Sequence, residues 1–177
     1  MADPGLSLVS PSGGGVPIKS RVGPLLDLLL REQPDHLAVA VSGGVDSLAL
    51  AWLANAWRRE SRCQLTVLTV DHGLRPGSDH EARQVAAWMA DWGLPHHILR
   101  WDGVKPMAGS QDAARQARYK LLTDWCRANN ADALLVAHTR EDQAETFLMR
   151  LLRGSGGDGL AGMSAASRIN GLPLLRP

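Results

Sequence analysis

Cysteine is scarce in this chain. Cys63 and Cys126 are the only two among 177 residues, and they form neither a CxxC pair nor a metal-ligand spacing. That leaves no basis for a disulfide framework or a thiolate metal site, and two buried or idle thiols in a reducing compartment are expected. Net charge is close to absent as well, 19 Lys and Arg against 18 Asp and Glu, for a total of +1. Such a balance neither demands nor forbids a nucleic-acid partner, so any basic footprint has to be local. No apolar run approaches the roughly twenty residues that cross a bilayer. The N-terminus has no charged start followed by a long apolar region, so no membrane association and no secretory leader are expected, and the reading is cytoplasmic. Phe and Tyr occur once each. The six tryptophans, Trp52, Trp57, Trp88, Trp92, Trp101 and Trp125, fall mostly at helical spacings such as Trp88 and Trp92 and read as core packing rather than a base-stacking platform.

What is present is a hydrophobic share of 45% with 21% charged residues, the balance of a soluble globular protein long enough for one real core. The chain is organised around Leu37-Ala-Val-Ala-Val41, then Ser42-Gly-Gly-Val-Asp-Ser47, then Leu48-Ala-Leu-Ala-Trp-Leu53. A short apolar run with β-branched residues, a turn of small residues and a helix-forming apolar run read as strand, tight turn and helix. Such a turn leaves free backbone N–H groups and a positive helix end facing one point, which makes it an anion site. No Lys follows the glycines, so GxxxxGK[ST] cannot be laid over it, and GxGxxG does not fit either. Instead it holds Asp46. A carboxylate in a phosphate-facing turn repels its ligand unless a cation lies between them, which points to Mg²⁺ carried in by a nucleotide. Ser42 and Ser47 add hydroxyl groups, and Ser47 is a second candidate to touch the metal.

Residues 1–20, rich in Gly, Ser and Pro without a period, are expected to be a disordered tail, and Val22 to Arg31 a short amphipathic helix before Pro34. Leu65 to Val70 reads as a buried parallel strand ending on Asp71-His72-Gly73, at the crevice end of the sheet. Ser78 to Trp92 is expected to be a helix with Ser78 as N-cap, Glu81 completing a capping box, and Val85, Trp88, Met89 and Trp92 as its apolar stripe. Pro95 to Arg100 is the third strand, in which the adjacent His96 and His97 point to opposite faces and so make no ligand pair. Ser110 caps a helix to about Asn129, on which Arg115 and Arg118 share a face suited to phosphate or carboxylate, or to plain solvent. Ala133 to Ala137 is the fourth strand, and the helix after it opens with His138, Asp142 and Glu145. Two carboxylates three apart near a helix N-terminus fit the helix dipole, a cationic amine or a metal. The tail from Arg168 to Pro177 reads as a final strand with a turn. The whole predicts an α/β fold, Rossmann-like and doubly wound, with a mainly parallel sheet of about five strands and helices on both faces.

The loop SGGVDS resembles the pyrophosphate-binding loop of the N-type ATP pyrophosphatases, whose fold is adenine nucleotide alpha hydrolase-like. Together with DHGLRP, ARQARY, AHTREDQAET and RGSGGDGLAGM, in this order from Leu37 to Met163, it is similar to the N-terminal domain of the tRNA(Ile)-lysidine synthetases. The resemblance implies an ATP-dependent ligase that uses Mg²⁺ to adenylate O2 of the wobble cytidine in a tRNA(Ile) with a CAU anticodon. Free L-lysine then displaces AMP to give lysidine. By motif position it implies that Ser42, Gly43, Gly44, Val45, Asp46 and Ser47 hold the phosphates, with Asp46 on the metal. Val70 and His72 would meet adenine, His138 the triphosphate or reacting base, Asp142 and Glu145 the lysine, and Arg118 with Arg115 the nucleotide or the lysine carboxylate.

The family generally continues into helical domains that grip tRNA. Residues 21–177 are therefore expected to be a PP-loop ATP-binding catalytic domain cut before such regions, with the oligomeric state open and a homodimer one option. Two alternatives stay open: another PP-loop tRNA-modifying enzyme of thiolase type, which the lack of CxxC disfavours, and a non-catalytic adenine-nucleotide-binding module.

Overall fold

A computed structural model describes residues 24, 26–27, 30, 33–74, 76–102, 110–137 and 165–177. The tail over 1–20, most of the expected helix over 22–31, and the stretch holding His138, Asp142, Glu145 and the Gly-rich segment after them lie outside these residues.

In chain order the elements are β1 (His36–Ala40), α1 (Val45–Ser61), β2 (Gln64–Asp71), α2 (Ser78–Asp91), β3 (His96–Arg100), α3 (Ser110–Ala128), β4 (Ala133–Val136), β5 (Ala166–Ile169) and β6 (Leu172–Leu175). They build one sheet in the order β3-β2-β1-β4-β6-β5, in which β5 runs antiparallel to β6 and every other neighbouring pair is parallel. This is the expected doubly wound sheet with one strand more. The tail folds as a hairpin, because Asn170 and Gly171 both take positive φ (51° and 84°), the geometry of a two-residue turn whose twist matches its strands.

The two-residue period of the strands divides the core. Leu37, Val39, Leu65 and Val67 pack with Leu50, Ala51 and Ala54 of α1 and Val85 and Met89 of α2. Ala38, Leu68, Leu134 and Val136 face Tyr119, Leu122 and Cys126 of α3. Helices therefore cover both faces, and each fully buried Leu or Val on them stabilises the fold by about 1.5–3 kcal/mol. Leu26, in the one described helical piece before β1, is wholly buried in the first cluster, where the Trp57 indole N–H donates to Asp27 Oδ1 at 2.9 Å.

Two expectations are corrected. Ser78 does not cap α2: Gly77 is the N-cap, at φ 88° and without a side-chain cap bond, and its carbonyl accepts from the His80 and Glu81 amides, so no capping box forms. The Ser78 hydroxyl turns instead to Asp71. The tryptophans are not uniformly core either. Trp57 is buried, but Trp52 and Trp88 are 50% and 37% exposed, because each lies on the outer side of its helix.

Candidate active site

In a sheet of this order the strands diverge between β1 and β4, and the crevice beyond their carboxyl ends is where such folds take ligands. A cavity of about 420 Å³ opens there, within the usual size of a small-molecule site. Its floor is apolar, from Ala40, Leu68, Val70, Val136 and Ala137, and its polar margin comes from Ser42, Ser47, Asp71, His72, Glu81 and Arg118. A flat apolar ring and a charged chain could share such a space, each against its own surface.

The loop between β1 and α1 is shaped by its small residues. Gly43 sits at φ 89°, a region open to glycine, and a Cβ there would lie 3.3 Å from Val85 Cγ2. Gly44 is the extended N-cap of α1 at φ −72° and accepts from the Leu48 amide at 3.1 Å. The Ser47 hydroxyl donates to the Gly44 carbonyl at 2.8 Å and accepts from the Ser42 amide at 3.2 Å. Ser47 is thus buried and committed to the shape of the loop, while Ser42, exposed, keeps its hydroxyl 3.3 Å from that of Ser47. Val45 (77% exposed) and Asp46 open α1, whose first amides have no partner within the helix. Asp46 is exposed, and its carboxylate makes no hydrogen bond to the described residues.

The other expected positions divide. Val70 and His72 line the crevice, and the His72 ring meets Trp101 edge-on at 6.3 Å. Arg118 also lines it. Arg115 does not: the two guanidinium groups stack over the Tyr119 ring at 5.3 and 5.4 Å, and Arg115 opens onto a shallow hollow beside Lys120 and Asn170. His138, Asp142 and Glu145 lie outside the described residues. Asp71, which the sequence put beside the loop, is buried, and its carboxylate accepts from the Gly73 amide at 2.9 Å and the Ser78 hydroxyl at 2.7 Å. Tyr119, Ser78 and Glu81 also line the crevice without having been singled out for it. For Tyr119 a signal existed, since it follows Arg118 directly and an aromatic ring flanked by arginines is a stacking surface.

His96 and His97 do diverge. His96 Nε2 lies 2.9 Å from Thr69 Oγ1 on the α1 side, and the His97 ring lies 5.2 Å from that of Trp125 on the other. Burial, with the neighbouring His97 second, holds the His96 imidazole below its ordinary range. Both cysteines are free and buried, on opposite sides of the sheet, and burial pushes their thiols up to about 11 for Cys63 and about 12 for Cys126. Neither is a reactive thiolate at neutral pH.

Fold and site together define a Rossmann-like α/β domain with a glycine-bearing loop that opens a helix N-terminus beside its switch point. The chain belongs to the PP-loop family: the model described as PP-loop domain matches residues 18–177. It is 50% identical over 163 residues to the tRNA(Ile)-lysidine synthase of Bradyrhizobium diazoefficiens, covering 91% of this chain and 45% of that protein. To the enzyme of the same name from Rhodopseudomonas palustris it is 52% identical over 143 residues, covering 80% and 41%. The chain thus spans less than half the length of these curated relatives. Among solved structures, the U34-tRNA thiolase NcsA from Methanococcus maripaludis with its [4Fe-4S] cluster superposes with a TM-score of 0.68 at 19% identity, over 78% of this chain and 52% of that one. At that identity the likeness concerns the fold, which is adenine nucleotide alpha hydrolase-like.

Proposed function

We propose that this chain supplies the ATP-binding and adenylating centre of a tRNA(Ile)-lysidine synthase, acting on free L-lysine and a tRNA(Ile) with a CAU anticodon in the cytoplasm. The observation that carries the reading is the Ser42–Ser47 loop. Ser42 and Ser47 at its two ends line the switch-point crevice. Its glycine geometry, its helix N-terminus and an Asp46 carboxylate that no described residue engages support a phosphate and metal role in a chain about half identical to enzymes of that name.

The residues fit the groups the reaction needs. The apolar floor of Leu68, Val70 and Val136 suits an adenine ring, and the loop amides suit phosphate oxygens. No cluster of three or more His, Cys, Asp and Glu that could hold a metal occurs among the described residues. Asp46 would therefore share Mg²⁺ with phosphate oxygens, the usual manner for this ion, rather than enclose it. When bound, Mg²⁺ draws off the negative charge that develops on departing pyrophosphate. The loop amides stabilise the same charge from the protein side, in an orientation set before the reaction starts. Arg118 at the crevice margin offers a fixed cation to a phosphate or to the lysine carboxylate. In the chemical step O2 of the cytidine attacks the α phosphorus and pyrophosphate leaves. The lysine amine, once it has lost a proton, then attacks carbon 2 and AMP leaves. Asp142 and Glu145 are proposed to receive that amine, whose ordinary pKa near 10.4 leaves it charged at neutral pH until a base removes the proton.

The thiolase alternative fits less well, because a cluster of that kind needs three or four thiolates and this chain has two cysteines, set on opposite sides of the sheet. The test is release of pyrophosphate from ATP in the presence of lysine and the tRNA, with lysidine detected by mass spectrometry of the digested RNA. Release dependent on tRNA and on Asp46 supports the reading. ATP binding without release would make the chain a nucleotide-binding module.

A further inference from the structure

The peptide unit joining Val41 to Ser42 leads from the sheet into the anion loop, and side chains hold both of its polar groups. Its carbonyl accepts the Thr69 hydroxyl at 2.9 Å, and its N–H donates to Ser47 Oγ at 3.2 Å. The β1–β2 ladder reaches this point through the Val41 amide, which donates to the Leu68 carbonyl at 2.9 Å. Thr69 is 4% exposed, and its one hydroxyl proton goes to Val41. Toward His96 Nε2, 2.9 Å away, the same oxygen can only accept, which assigns the His96 proton to Nε2. A directed chain thus runs from β3, through Thr69 on β2, to the carbonyl of Val41, the residue that follows β1.

We propose that Thr69 and His96 are positioning residues that fix the first peptide of the loop, so that the amides following it face the nucleotide phosphates in one orientation. The inference rests on the ATP reading above. A peptide gripped at its carbonyl and its N–H cannot rotate, and the residue after Ser42 is Gly43, at φ 89°, where the backbone would otherwise move with little resistance. Thr69 lines the crevice between Leu68 and Val70 but carries no charge and has its one hydroxyl proton committed to Val41, and His96 does not line it. What they supply is the orientation of the loop amides. Burial keeps His96 neutral, in keeping with the single-proton role the chain requires.

The experiment compares Thr69→Val, Thr69→Ser, His96→Gln and His96→Ala with the unaltered chain. Two quantities are read: the dissociation constant for ATP with Mg²⁺, by calorimetry, and exchange of the Ser42, Gly43 and Gly44 amides in the nucleotide-free protein. Loss of the buried hydroxyl in Thr69→Val is expected to weaken ATP binding by about tenfold and to speed exchange at these amides by a similar factor. Core amides such as those of Val39 and Val67 should exchange as before. Thr69→Ser, which keeps the hydroxyl, and His96→Gln, whose amide can donate where Nε2 did, should return both readouts to within about threefold, with His96→Ala between them and Thr69→Val. A folded Thr69→Val protein with unaltered affinity and unaltered loop exchange overturns the proposal, since a merely structural threonine would lower the melting temperature alone. If Thr69→Val does not fold, His96→Ala decides by the same readouts. If the unaltered chain binds no ATP, the functional reading falls, while the exchange measurements still decide whether the brace orders the loop.

Discussion

Two aspartates stand at the carboxyl ends of neighbouring parallel strands, and the protein uses them in opposite ways. Asp71 ends β2 in a buried position, with its carboxylate held by the Gly73 amide and the Ser78 hydroxyl, so it shapes a turn and fastens the start of α2. Asp46 lies one turn of chain beyond β1, exposed at the second position of α1, with no described group on its carboxylate. An acidic residue at the ligand end of a sheet is therefore not informative by type alone. What separates a structural carboxylate from a candidate metal ligand is whether groups of the protein itself, here one amide and one hydroxyl, already donate to it.

The comparison is broken most directly by exchanging what each residue loses. Asp46→Ala is expected to reduce tRNA-dependent pyrophosphate release by at least about 100-fold, the scale of losing a group that acts on transition-state charge. Its cost in stability should stay below about 1 kcal/mol, the helix-dipole contribution of an exposed first-turn carboxylate. Asp71→Ala should do the reverse. It removes the acceptor of two part-buried hydrogen bonds, from the Gly73 amide and the Ser78 hydroxyl, for a loss of about 1–2 kcal/mol in chemical denaturation, with the KM for ATP changed by less than about threefold. If Asp71→Ala stays stable and loses activity, the two roles have been assigned the wrong way round.

A smaller effect sharpens the contrast within one loop. Gly43→Ala places a side chain at φ 89° and 3.3 Å from Val85 Cγ2, so it should cost about 1–2 kcal/mol and weaken ATP binding. Gly44→Ala, at φ −72° and with Ser42 Oγ 3.5 Å from the added atom, meets no such strain. Melting temperatures of the two variants, with and without ATP, check the order.

The strand, loop and helix from Leu37 to Leu53 are readable because their signals agree: a short apolar run with β-branched residues that is buried on both faces, paired glycines, then a run of strong helix formers. The helix pair on one face and α3 on the other follow from the same periodicity. The misread features are those that depend on partners distant in sequence. Nothing in Asp71-His72-Gly73 says that Ser78 will reach back to it, and a capping box at Ser78 and Glu81 is plausible until Gly77 takes the cap at positive φ. The sixth strand was missed because Ala166–Ile169 is short and only half-apolar, and gains its place by pairing with β6. Arg115 and Arg118 share a helix face as their spacing demands, yet Tyr119 stands between them and leaves only Arg118 in the crevice. Thr69 carried no motif at all; its hydrogen bond to Val41 exists only because the register sets β2 against β1.

The smallest expected effect concerns the outer end of that hydrogen-bond chain and separates its histidine from the two thiols. Burial lowers the His96 pKa from 6.5 in the folded protein, so below that pH the unfolded chain takes up a proton before the folded one does. The stability His96 contributes is fully present above pH 6.5 and is lost as pH falls through the lower folded value. The cysteines act at the other limit: with folded values of about 11 and about 12 against 9.0, their contribution is intact below pH 9 and declines as pH rises above it. Urea unfolding midpoints should therefore decline on both sides of a plateau between about pH 6.5 and 9. His96→Gln should flatten the acid side and leave the alkaline side as it was, whereas Cys126→Ala should leave the acid side as it was and lessen the alkaline decline to the share of Cys63. An acid limb unchanged in His96→Gln would mean that the imidazole accepts its proton in the folded state without penalty, and so is not held as the neutral donor to Thr69.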